Sequence, residues 1–195
     1  MTDRREAIAR MAALVGGMTI GAEFFLSGCA RPGKKPVTPF SAADIALMDE
    51  IGETIIPTTD TPGARAASVG AFMAMVVTDC YDAESHAAFQ DGLVTIESTS
   101  RQRYGKPFAM CAPADRTALL NERDHEQRAV TQGKTRGDTA HFFKLMKELT
   151  LLGYFSSEIG CTKALRYVET PGAYHGDVPY KKGDKGWFNP ARRYN

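Results

Sequence analysis

The sequence predicts an all-α protein, a compact helical domain of about five to six helices with an irregular C-terminal arm. Three observations carry this. Apolar residues recur at helical spacing in several separate segments. Capping residues, Pro and Gly punctuate the intervals between them. No segment alternates apolar and polar residues over enough positions to argue for a strand. The 195 residues allow one domain and an extension.

Residues 1–29 read as an export signal. Arg4 and Arg5 form a basic start, Met11 to Gly28 a modest apolar stretch, and Leu26-Ser27-Gly28-Cys29 a small-residue end. Glu23 and four glycines make the stretch a poor permanent anchor, because a spanning helix needs about 20 predominantly apolar residues. The arginine pair points to the twin-arginine route, which exports folded cargo. The LSGC end resembles the bacterial lipobox, which makes Cys29 the lipidation candidate and the periplasm the expected compartment, with a membrane anchor through Cys29. The alternative is an ordinary first helix with an incidental cysteine.

Residues 30–40, rich in Pro, Gly and Lys, read as a linker. The helical body occupies 41–169. In SAADIALMDEIGETIIP, Ser41 is an N-cap supported by Asp44, the stripe is Ile45, Met48, Ile51 and Ile55, and Pro57 is the stop. TTDTPGA is a turn cluster. ASVGAFMAMVVTDCY follows with Val69, Phe72, Met73, Val76 and Cys80 on one face. AESHAAFQDGLVTIESTSRQRYG carries Ala88, Leu93, Ile96 and Tyr104 and ends at Gly105. CAPADRTALLNERDHEQRA starts near Pro113 and carries Leu119 and Leu120. VTQGKTRGDT is a polar loop. HFFKLMKELTLLGYF has the strongest stripe, Phe142, Leu145, Met146, Leu149 and Leu152; Gly153 allows a turn, and SSEIGCTKALRYV continues as a further helix. Residues 170–195 form the arm. From Thr170 it carries five basic residues against two acids, with Tyr174, Tyr180, Trp187, Phe188 and Tyr194 interleaved. Its readings are a flexible tail or an arm laid on a protein partner, where Tyr, Trp and Arg are the usual anchors.

Formal charge is +1, and beyond Cys29 there are 21 basic residues against 20 acids, so the total gives no reason to expect nucleic acid. Enzyme signatures are missing: no P-loop, no dinucleotide fingerprint, no H-E-x-x-H and no G-x-S-x-G. His86, His125, His141 and His175 lack metal-ligand spacing. No C-x-x-C-H is present to attach haem, so no catalytic, metal or cofactor-binding residue is expected in this chain. Cys80, Cys111 and Cys161 read as buried thiols, with Cys161 the candidate for a bond to another chain. Glu122 and Glu126 read as a solvated face. Met73, Met75, Met110 and Met146 read as core filling.

Three stretches carry a resemblance: ETIIPTTDTPGA with VGAFM, FFKLMKELTLLGYFSSEIGCTKALRY, and VETPGAYHGDVPYKKGDKGW. They resemble the gluconate 2-dehydrogenase subunit 3 family, small subunits of bacterial flavin-dependent sugar dehydrogenases, from about Phe40 to Trp187. The resemblance implies a non-catalytic role. A glucose–methanol–choline-type flavoprotein subunit would hold FAD and act on gluconate, glucose or a glycoside, passing electrons to a c-type cytochrome or a quinone-linked acceptor. This chain would stabilise that subunit and escort it through export. The candidate partner-binding residues are Tyr154, Phe155, Glu158, Cys161, Tyr180, Lys181, Lys182 and Trp187. The competing expectation is a stand-alone exported lipoprotein that binds a ligand or a surface partner.

Overall fold

Chain order is set from the first helix onward by side chains that close its ends. In the computed structural model of the protein, the described residues are 39–132, 140–169, 172–173 and 177–188. Arg4, Arg5, Cys29, most of the 30–40 linker, Tyr174 and Tyr194 lie outside them. Phe40, assigned to the linker by composition, already belongs to the fold: its ring stands 5.0 Å from His86 and 5.8 Å from Phe89.

Helix α1 (Ala42–Ile55) opens with the expected capping box. Ser41 Oγ accepts from the Asp44 amide at 3.2 Å, and Asp44 Oδ2 accepts from the Ser41 amide at 2.8 Å. Met48 and Ile51 are fully buried. The turn that follows is held by one carboxylate. Glu53 Oε1 accepts from the Thr58 amide at 2.8 Å and the Thr58 hydroxyl at 2.7 Å, and Oε2 accepts from the Arg65 amide at 3.0 Å.

Helix α2 (Val69–Cys80) has no side-chain cap of its own, and Ser68 before it takes a left-handed φ of 52°. Its cap comes from α1, where Asp49 Oδ1 accepts from the Gly70 amide at 2.7 Å. Helix α3 (Ala83–Tyr104) is capped by Asp82, which accepts from the Ser85 amide at 2.7 Å, and ends at Gly105 with φ 67°. After a short 3₁₀ turn (Phe108–Met110) comes α4 (Pro113–Gln132), which buries Leu119 and Leu120. Helix α5 (Phe142–Ser156) begins where the His141 Nδ1 accepts from the Phe143 amide at 3.2 Å. It packs against α1, α2, α3 and α4 and is the centre of the body. Side chains from all five helices and the 3₁₀ turn fill one core, from Met48 to Tyr154. Each large apolar side chain there contributes about 1.5–3 kcal/mol by leaving water.

The all-α class holds, and several local expectations are corrected. Gly153 makes no turn, because α5 runs on to Ser156. A Cβ at Gly153 would lie 2.6 Å from the Phe72 ring, so the glycine serves close helix packing. The following segment is one wide turn of π-helix (Gly160–Ala164), after which the chain is extended. Arg166–Tyr167 (β1) pairs in parallel with Trp187–Phe188 (β2), with Arg166 opposite Trp187. Two-residue strands are too short for alternation to reveal. Met73 and Met146 are core residues, but Met75 and Met110 are 55% and 73% exposed. Leu152 is exposed, as is Cys80 at the end of α2.

Candidate functional site

The candidate partner-binding residues divide into those the fold buries and those it displays. Tyr154 faces inward at 1% exposure, and its hydroxyl donates to the Pro62 carbonyl at 2.6 Å. It ties α5 to the turn held by Glu53 and offers no surface for contact. Cys161 is also buried, with its Sγ donating to the Phe155 carbonyl at 3.1 Å. Burial pushes its thiol pKa up, away from the thiolate a disulfide exchange needs. Both features disfavour a bond from Cys161 to another chain. Phe155 is half-buried beside Tyr154, their rings 5.1 Å apart, and Glu158 is exposed.

Tyr180, Lys181, Lys182 and Trp187 are all exposed, and they stand on a built structure. The turn at 181–184 is closed from both sides: the Lys181 amide donates to Asp184 Oδ2 at 2.9 Å, and the Asp184 amide donates to the Lys181 carbonyl at 3.0 Å. Gly183 takes φ 97° within it, a conformation that favours glycine. The turn sets Lys181 and Lys182 at its tip. Behind it, the Arg166 amide donates to the Gly186 carbonyl at 2.8 Å, and the Lys185 ammonium donates to the Lys163 carbonyl. The Arg166 guanidinium lies over the Trp187 ring, 4.7 Å from its centre, within cation–π range. The described part of the arm therefore returns to the end of the helical body and closes a clasp.

Lys163, Arg166, Tyr167 and Lys185 belong to this surface and were missed in the sequence. The signal was present as charge segregation. Residues 39–159 hold 17 acids and 11 basic residues, a net of −6, while residues 160–195 hold 3 acids and 7 basic residues, a net of +4. Residues 1–38 add a net of +3, and the total of +1 conceals the segregation.

The charged groups of the body are largely engaged with one another. Glu50 pairs with both Arg65 and Arg116, tying α1 to α4 and to the turn before α2. Arg103 holds Glu122 at 2.6 Å, and this contact first, then the charges of Arg103 and Arg123, hold the Glu122 carboxyl below its ordinary value. Glu126 meets Arg123 at 2.7 Å. The Glu122–Glu126 face is exposed, as expected, and its carboxylates also pair with Arg103 and Arg123. Among the described residues no group of three His, Cys, Asp or Glu side chains is placed to hold a metal, and no helix is long and apolar enough to cross a membrane.

A family model described as Gluconate 2-dehydrogenase subunit 3 matches residues 42–172. The match takes in the whole helical body, the π turn and β1, and stops before the turn at 181–184 and β2. No curated protein and no solved structure compared with the chain matches it.

Proposed function

The chain belongs to the gluconate 2-dehydrogenase subunit 3 family, the small subunit of a dehydrogenase complex with a catalytic partner, and on that premise we propose that it is the non-catalytic escort of an exported, FAD-dependent sugar dehydrogenase. The observation that carries this reading is the family match over 42–172, which takes in the whole helical body. A subunit of this kind needs a folded body and a docking surface, and it leaves the oxidation to its partner. In this reading the partner is a glucose–methanol–choline-type flavoprotein that holds FAD, and electrons leave it for a c-type cytochrome or a quinone-linked acceptor. The N-terminal segment with Arg4 and Arg5 directs the pair to the periplasm, and Cys29 supplies an optional lipid anchor. Export of an already folded pair is consistent with a body whose Cys80, Cys111 and Cys161 are free thiols, because a cytosolic fold cannot depend on disulfides.

Co-expression with the flavoprotein encoded beside it should yield one complex on gel filtration. The small chain purified alone should show neither flavin absorbance nor sugar oxidation. Exchanging Arg4 and Arg5 for Lys should leave both subunits in the cytoplasm. Flavin-dependent turnover by this chain alone would overturn the reading.

A further inference from the structure

We propose that the C-terminal clasp is a preformed cationic–aromatic docking surface for an acidic face of the catalytic subunit. The proposal rests on the small-subunit reading and specifies where, and by what chemistry, the partner is held. The Arg166 guanidinium lies over Trp187, which is 59% exposed; Lys185 reaches the Lys163 carbonyl, and the adjoining stretch carries exposed Lys181, Lys182 and Tyr180, the last at 76%. Exposed Trp and Tyr with an Arg are typical of protein interfaces, where the rings supply contact area; the lysines beside them add charge that steers and orients an acidic partner.

The surface is ordered before any partner arrives. The closed turn at 181–184, the β1–β2 pairing and the Arg166–Trp187 stack fix backbone and rings that binding would otherwise have to order. Ordering costs about 0.5–1.5 kcal/mol for each immobilised side chain, so a preformed clasp retains more of its contact energy. The one carboxylate within the closed turn, Asp184, is committed to the Lys181 amide.

Charge selects the partner. The described residues from 160 to 188 carry five basic residues against three acids, and residues 39–159 carry a net of −6, so charge directs the clasp toward an acidic partner. A second copy could offer its acidic body to this end. That contact would be head-to-tail, which builds rings or open chains of subunits. An acidic patch on a different protein satisfies the clasp once and stops.

The test uses the full chain with its catalytic subunit. Affinity is measured for wild type, for Lys181→Glu with Lys182→Glu, for Trp187→Ala, and for Lys181→Arg with Lys182→Arg. All substituted side chains are exposed, so circular dichroism of the free chain should match wild type; melting should match for the lysine variants, while Trp187→Ala, which loses the Arg166 stack, should melt within about 2–8 °C of it. The charge reversal should weaken the complex by about tenfold or more, and the arginine pair should retain it. Raising salt from about 50 to about 500 mM should weaken wild type more than the reversed variant. Equal affinity and equal salt dependence for wild type and the reversed variant would overturn the proposal. It would also be overturned if the variants kept the complex but lost binding to vesicles containing phosphatidylglycerol, or lost only concentration-dependent self-association in sedimentation. If wild type forms no complex under any condition, the small-subunit reading fails instead.

Discussion

Glu53 holds a turn together with three hydrogen bonds and sets the residue-scale pattern of this fold. Partial burial alone would raise its pKa; the bonds from Thr58 and Arg65, with the Arg65 charge, outweigh that and hold it below the ordinary carboxylate value. A lowered folded-state pKa means that the unfolded chain binds the proton more tightly. The stabilisation is therefore complete above the ordinary Glu value of about 4.3 and is lost as pH falls below it. Glu53→Gln should cost about 2 kcal/mol at neutral pH, since hydrogen bonds to a charged group contribute about 1.5–3 each and the amide preserves only part of the set. The variant should also lose the part of the acid sensitivity that Glu53 supplies; a urea midpoint that falls with acid as steeply as in wild type would count against this. Tyr154→Phe removes the bond to the Pro62 carbonyl and should cost about 1–2 kcal/mol by the same measurement. Reading the sequence found Ser41 and Asp44, because a capping box is written in adjacent residues. It could not find Glu53 or Tyr154 as anchors, because their partners stand up to 92 residues away.

At the scale of elements, α5 shows why a hydrophobic stripe can be displaced. Phe143, Leu145, Met146, Leu149, Thr150, Gly153 and Tyr154 form its buried face, which includes Gly153 and leaves Leu152 outside. Stripe counting gives weight to bulky side chains, whereas the contact is made by the smallest one. Phe72 of α2 occupies the space a Cβ would take. Intrinsic propensity says that Gly153→Ala should gain about 1 kcal/mol in a helix. Packing reverses the sign: the ring must move, and overpacking costs about 1–3 kcal/mol. Gly153→Ala should therefore lower stability, and combining it with Phe72→Leu should recover part of the loss. A thermal melt of both single variants and the double variant checks this, and additive losses would exclude direct coupling between the two positions. The π turn and the β1–β2 pair were illegible for a related reason. Each is five residues or fewer, shorter than the periods that sequence patterns need.

Across the whole molecule, the core and the clasp are separate undertakings. Every fully buried residue of the core cluster lies between Met48 and Tyr154, and the described residues of the arm from 177 to 187 are all exposed. The family match ends at residue 172, before the second half of the clasp. The body should therefore keep its fold when the arm is removed. Truncation after Glu169 deletes β2 and breaks the pairing to Arg166, but it removes no residue of the core cluster. A surface ion pair or stack contributes about 1 kcal/mol or less, which corresponds to about 2–8 °C in melting temperature for a domain of this size. The truncated chain should melt within that interval of wild type with an unchanged helical circular dichroism signal. It should also elute earlier from a cation exchanger, because residues 170–195 carry five basic residues and two acids. Loss of cooperative melting on truncation would show that the arm completes the core, and the clasp would then have to be read as a structural strap instead of a surface held out for a partner.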